Sequence, residues 1–202
     1  MRVLPSHRTS DNRGQTMVEF VLLLPILLML LLGVADFGRV FHAGVVIESA
    51  SRAAAEAAAL EYLRTEDVRP APADPDFTAY YQRLHDAASA VACQEARPLP
   101  NATYSNGPPI QCAQWPAVLV CVHDGLDPLC DATPVSGYSA GPGECGEMTP
   151  GWDATRVDPR GNPFVEVRLC YRFTTLFGLQ AVGLNLGDVY LEQTAVFTVA
   201  DY

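Results

Sequence analysis

From Phe20 to Ala35 the chain reads FVLLLPILLMLLLGVA without a single charge, and this run constrains everything around it. As a helix, these residues rise roughly 24 Å at about 1.5 Å each. That falls a little short of a hydrocarbon core. Met17 and Val18 before the run, and Phe37 after it, lengthen the apolar surface if Glu19 and Asp36 lie near the two interfaces. Pro25 is tolerable in such a helix as a kink.

The flanks give the run a direction. Arg2, Arg8 and Arg13 precede it against one acid, Asp11. The positive-inside bias therefore keeps the first residues cytoplasmic and sends the remainder outward. Elsewhere the chain is acidic, with a formal net charge of -10, and its 13 basic residues are all arginine. Such a chain is a poor partner for nucleic acid, whose phosphates demand a basic face. All six cysteines (Cys93, Cys112, Cys121, Cys130, Cys145 and Cys170) follow the apolar run. An even count on one side of a membrane segment points to oxidised pairs in an extracytoplasmic compartment; free buried thiols are the alternative. No C-x-x-C or H-x-x-x-H spacing favours zinc.

Three readings compete for the N-terminus. In the first, the run is a plain signal-anchor and Glu19 is a boundary residue. In the second it is a secretory signal cleaved after Gly33-Val34-Ala35, where small residues occupy both cleavage positions. Glu19 opposes that reading, being an acid where basic residues belong. The third accounts for Glu19. Gly14-Gln15-Thr16-Met17-Val18-Glu19-Phe20 places a glutamate five residues after a glycine and directly before the apolar helix. This resembles the processing site of type IV prepilins and pseudopilins. The resemblance implies cleavage after Gly14 by a membrane aspartyl peptidase, the prepilin peptidase. Gln15 would become the new terminus, and Glu19 would face the amine of a neighbouring subunit. A carboxylate in lipid is costly unless paired or functional, and a nearby ammonium offsets its desolvation.

Beyond the run, DFGRVFHAGVVIESASRAAAEAAALEYLRT is rich in alanine, the strongest helix former. It predicts one continuous helix from about Thr16 to about Thr65. Phe41, Val45, Ala55, Ala59 and Tyr62 are its expected packing face, with Arg39, Glu48, Arg52, Glu56 and Arg64 in water. Gly33, Gly38 and Gly44 offer small surfaces for close helix approach. Taken together, Gly14, Glu19, Phe20, Pro25, Asp36, Gly38, Arg39 and Arg52 resemble the TadE-like family of tight-adherence (Flp) pilus assembly proteins, closely over 14–59. The resemblance implies a small pilin-like protein acting in pilus biogenesis, secretion or adherence. Its implied partners are the prepilin peptidase, other pilins or pseudopilins, the Tad secretion machinery and the lipid bilayer.

The turn Pro70-Ala71-Pro72-Ala73-Asp74-Pro75 precedes a second expected helix, from about Asp76 to about Glu95. Phe77, Tyr81, Leu84, Ala88 and Val91 recur along it at helical spacing, as packing residues do. Residues 98–111 read as loop, and Asn101-Ala102-Thr103 within it is formally a glycosylation triplet. A buried strand is expected from Trp115 to Val122. Residues 123–163 are dominated by glycine, proline and acids and read as an irregular insertion held by sulfur. Two further stretches, Phe164 to Phe173 and Asp188 to Val199, alternate at the strand period. Val165, Val167, Leu169, Tyr171 and Phe173 share one side, opposite Glu166, Arg168, Cys170 and Arg172.

These elements predict an α+β fold: a long N-terminal transmembrane helix, a second helix, and a small antiparallel sheet with a disulfide-linked insertion. The expected divisions are a cytoplasmic leader over 1–14, the long helix over 15–66, and an extracytoplasmic head over 67–202. The expected bridges are Cys93–Cys112, Cys130–Cys145 and Cys121–Cys170, out of 15 ways to pair six cysteines. His123, Asp124, Asp127 and Asp131 cluster in sequence, but their spacing fits neither an EF-hand nor a zinc site, so an acidic surface turn is expected. No Gly-rich phosphate loop and no G-x-S-x-G occurs, and the four histidines are scattered. Neither catalytic residues nor a cofactor is expected. The rival reading is a single-pass anchored extracytoplasmic binding protein unrelated to pili.

Overall fold

The computed structural model describes residues 13–65, 77–103, 112–123, 129–130, 145, 158–175 and 187–199. Two helices come first, α1 (Arg13–Thr65) and α2 (Phe77–Glu95). Four strands follow: β1 (Ala117–His123), β2 (Leu129–Cys130), β3 (Phe164–Thr174) and β4 (Asp188–Thr198). The fold is α+β, as the sequence predicts. The turn 70–75 and most of the insertion lie outside the described residues.

The chain divides into two compact units, meeting between Arg39 and Val40. In the first, α1 passes through Pro25 without ending. Its apolar side chains from Met17 to Leu32 are exposed on every side of the helix. A helix with no wet face belongs in an apolar medium. Among the described residues it is the one helix long and apolar enough to cross a membrane, with a mean hydropathy of 2.7 over its most apolar window.

The second unit contains the remainder of α1. There the buried stripe is Ala43, Ile47, Ala50, Ala54, Ala55, Ala58, Ala59 and Tyr62, recurring every three or four residues as one helix face must. Ala55, Ala59 and Tyr62 are buried as expected. Phe41 and Val45 are not, being 69% and 50% exposed. They lie about two positions out of phase with Ala43 and Ile47, which at 100° per residue puts them on the far side of the helix. Alanine dominates the stripe because small side chains let a helix lie close to its neighbours.

Tyr80, Leu84, Ala88 and Ala92 form the corresponding stripe on α2. They join the α1 alanines and the apolar strand residues in one core. The sheet order is β2-β1-β3-β4, antiparallel at every pairing. The register fixes its two faces. Val120 opposes Val167, and Val167 opposes Ala195, so these share one side with Val118, Val122, Val165, Leu169, Tyr171 and Phe173. On the other side Leu119 opposes Arg168, Cys121 opposes Glu166 and His123 opposes Phe164. Every residue of β1 is buried. The two central strands are therefore covered on both faces.

Asn101 ties the connection after α2 to β3. Its backbone N–H donates to the Tyr171 hydroxyl at 3.2 Å. Its side-chain amide donates to the Arg172 carbonyl at 3.1 Å and to Thr174 Oγ1 at 2.9 Å. The glycosylation triplet thus supplies an internal hydrogen-bonding anchor.

Two of the bridges are defined. Cys93–Cys112 joins the end of α2 to the segment before β1, as expected, with α carbons 5.4 Å apart. The second is Cys145–Cys170, with α carbons 6.0 Å apart. It replaces both the expected Cys130–Cys145 and the expected Cys121–Cys170. Register explains the correction. Cys170 lies opposite Ala117, whereas Cys121 lies opposite Glu166. Four residues of strand separate Cys121 from the position facing Cys170, about 13 Å at strand rise. No disulfide spans that distance.

Candidate functional site

The residues singled out for processing and assembly all lie in the first turns of α1. Gly14 and Gln15 are helical, as are Glu19 and Phe20. Gln15 and Glu19 are one helical turn apart, and the Gln15 side-chain amide donates to Glu19 Oε1 at 3.2 Å. Both side chains are exposed. Phe20, directly after the carboxylate, is 60% exposed. The geometry therefore presents an acid and an adjacent aromatic ring on the outside of an apolar helix, open to another molecule. One turn beyond the uncharged run, Arg39 reaches back to Asp36 at 3.1 Å. That i, i+3 ion pair offsets two charges near the far end of the span.

Gly33, Gly38 and Gly44 have open space where a Cβ would stand. Among the described residues no contact requires them to be glycine.

The head carries a second polar group of residues, which the sequence did not announce. His123 ends β1, fully buried, and stacks on Phe164 with ring centroids 4.3 Å apart. Its Nε2 lies 3.0 Å from Glu166 Oε2. Arg168, two residues along β3 on the same face, approaches Glu166 Oε1 at 3.4 Å. Burial pushes the Glu166 carboxyl up, but the neighbouring His123 ring and the Arg168 guanidinium together outweigh it and hold the group below its ordinary value of 4.5. This corrects the expectation of an acidic surface turn at His123. Asp124, Asp127 and Asp131 lie outside the described residues. The alternation of Glu166 with Arg168 was visible in the sequence. What it could not show was the strand register, which brings His123 alongside.

A smaller ion pair caps the sheet, where Arg172 donates to Asp188 Oδ2 at 2.7 Å. That hydrogen bond lowers the Asp188 carboxyl. An open groove of about 640 Å3 runs between α1 and β4, from Glu48 to Glu56 on the helix and Gln193 to Phe197 on the strand. The Arg52–Glu48 ion pair, at 2.6 Å, lies along it. Among the described residues no group of His, Cys, Asp and Glu is arranged to hold a metal.

No curated protein and no solved structure matches the chain. A family match does exist, and it falls within α1, the helix that carries the exposed carboxylate. Residues 14–56 match the family described as TadE-like protein.

Proposed function

We propose that this chain is a membrane-anchored, pseudopilin-like component of Tad pilus assembly, cut after Gly14 by a prepilin peptidase. The observation that carries the reading is the position of Glu19: five residues after a glycine, at the mouth of an all-apolar helix, within the segment that matches the TadE-like family. Cleavage would discard three arginines and one aspartate, leaving the chain two charges more negative than its present -10. It would also free an amine on Gln15. A carboxylate and an ammonium brought together at a membrane boundary offset each other's desolvation. In the uncut chain the Gln15 amide already takes that carboxylate as its acceptor.

The leader is cytoplasmic, α1 spans the membrane, and the head is extracytoplasmic, where its disulfides persist. The partners are the peptidase, other pilins or pseudopilins, the Tad machinery and the bilayer; secretion and adherence are the processes served. The chain supplies assembly surfaces, not chemistry.

Replacing Glu19 by alanine tests the assembly role. The variant should enter the membrane at wild-type levels, since the substitution makes the helix more apolar. Recovery of the protein with its pilus partners should fall by about tenfold or more, the scale of losing one partly buried ion pair. Wild-type co-assembly of Glu19→Ala would remove the carboxylate from the mechanism.

A further inference from the structure

We infer that Cys121 and Cys130 form a third disulfide, and that the head is thereby a substrate for a thiol–disulfide oxidase that needs no disulfide isomerase. The inference rests on the extracytoplasmic placement of the head proposed above.

Elimination and register lead to the same bond. Cys121 is disulfide-bonded, yet Cys93, Cys112, Cys145 and Cys170 are consumed in two bridges with each other. Within one chain Cys130 is the sixth and last cysteine. The β1–β2 ladder makes Cys121 and Cys130 direct partners across an antiparallel pair. α carbons so placed stand about 4.5–5.5 Å apart, inside the range a disulfide requires.

The resulting connectivity is consecutive: first with second, third with fourth, fifth with sixth. A head translocated from its membrane-proximal end onward presents its cysteines in this order. An oxidase that pairs each new thiol with its predecessor therefore makes every native bond and no other. For each bond, a chain thiolate attacks the oxidase disulfide to give a mixed disulfide and release one oxidase thiolate. The second chain thiolate then attacks the mixed disulfide, the S–S bond closes, and the oxidase departs as a dithiol. Two electrons and two protons leave the chain per bridge, and the disulfide-bearing oxidase accepts them. Isomerisation would require a reduced thiol to reach a bridge, but Cys93, Cys121 and Cys170 are fully buried and Cys145 nearly so.

Peptide mapping of the full chain, purified from membranes in detergent and alkylated without reduction, tests the pairing. Arginine-directed cleavage alone fails, because no arginine or lysine lies between Arg97 and Arg156 and four cysteines stay on one peptide. Additional cleavage at Leu119, Asp124, Asp127 and Asp131 separates them. The expected links are Cys93–Cys112, Cys121–Cys130 and Cys145–Cys170. An alkylated Cys121 or Cys130, or either one joined elsewhere, overturns the pairing. In Cys121→Ala a single new thiol should appear, at Cys130, with both other bridges intact; loss of Cys145–Cys170 there would likewise overturn it. Host cells lacking the oxidase should raise the free-thiol form about tenfold or more, whereas cells lacking the isomerase should keep bridged protein within about twofold of wild type. A tenfold loss in the isomerase-deficient cells would overturn the export-order argument. Six alkylated thiols in intact wild-type cells would instead refute the extracytoplasmic placement, a result distinct from mispairing.

Discussion

Two carboxylates of this chain occupy positions where a charge is expensive, and they are satisfied differently. Glu19 is exposed on an apolar helix, with the Gln15 amide as its neighbour; its full partner is proposed to come from another molecule. Glu166 is buried in the head and satisfied within the chain by His123 and Arg168. Because folding lowers the Glu166 carboxyl below 4.5, the unfolded chain takes up this proton first as acid is added. The stability it contributes is complete above pH 4.5 and is lost as pH falls through the folded value. Glu166→Gln should cost about 1–3 kcal/mol at neutral pH, the penalty for weakening a buried charged hydrogen bond. It should also flatten the acid limb of the stability curve. Thermal melts of the detergent-solubilised protein between pH 3 and 7 would check both; an unchanged acid limb in the variant would separate Glu166 from acid sensitivity.

Among the elements, α1 shows most clearly how far sequence carries. Its existence and extent follow from an uncharged run joined to an alanine-rich one, and the helix ends at Thr65 as its composition predicts. Its buried face does not follow so directly. With alanine at most positions, hydrophobic size cannot mark the phase, and Phe41 and Val45 draw attention to the wrong side. The true stripe is defined by what packs against it. Ala54→Leu should therefore overpack the core and destabilise the head by about 1–3 kcal/mol, while Phe41→Ala should stay within about 0.5 kcal/mol. Urea unfolding of the head followed by circular dichroism measures both, and the opposite order would refute the observed phase. In the sheet, the alternation of β3 and β4 was legible. Register was not, and register decided both the Cys145–Cys170 bridge and the buried His123–Glu166 pair. Both depend on which residues of distant segments lie opposite each other, and the sequence joining those segments has no hydrophobic pattern from which to read it.

At the scale of the whole molecule, the two units do different work. Under the proposed function the first would offer lipid and sister subunits an apolar helix that carries Glu19 near its start and, at Gly33, open space for close approach. Gly33→Ala should strengthen the isolated helix by about 0.5–1 kcal/mol, since alanine is the better helix former. If recovery with pilus partners nonetheless falls, as expected, close helix contact between molecules is the reason; unchanged recovery would leave Gly33 without that role. The second unit is a disulfide-braced α+β head in which the last turns of α1 form part of the core. The proposed function nevertheless depends on the first few residues of α1, and intact mass of the mature protein isolated from its native membrane tests their role most directly. A chain beginning at Gln15 is the predicted result, with Gly14→Ala retaining the leader. A mature chain that still begins at Met1, or one that begins at Asp36, would contradict it.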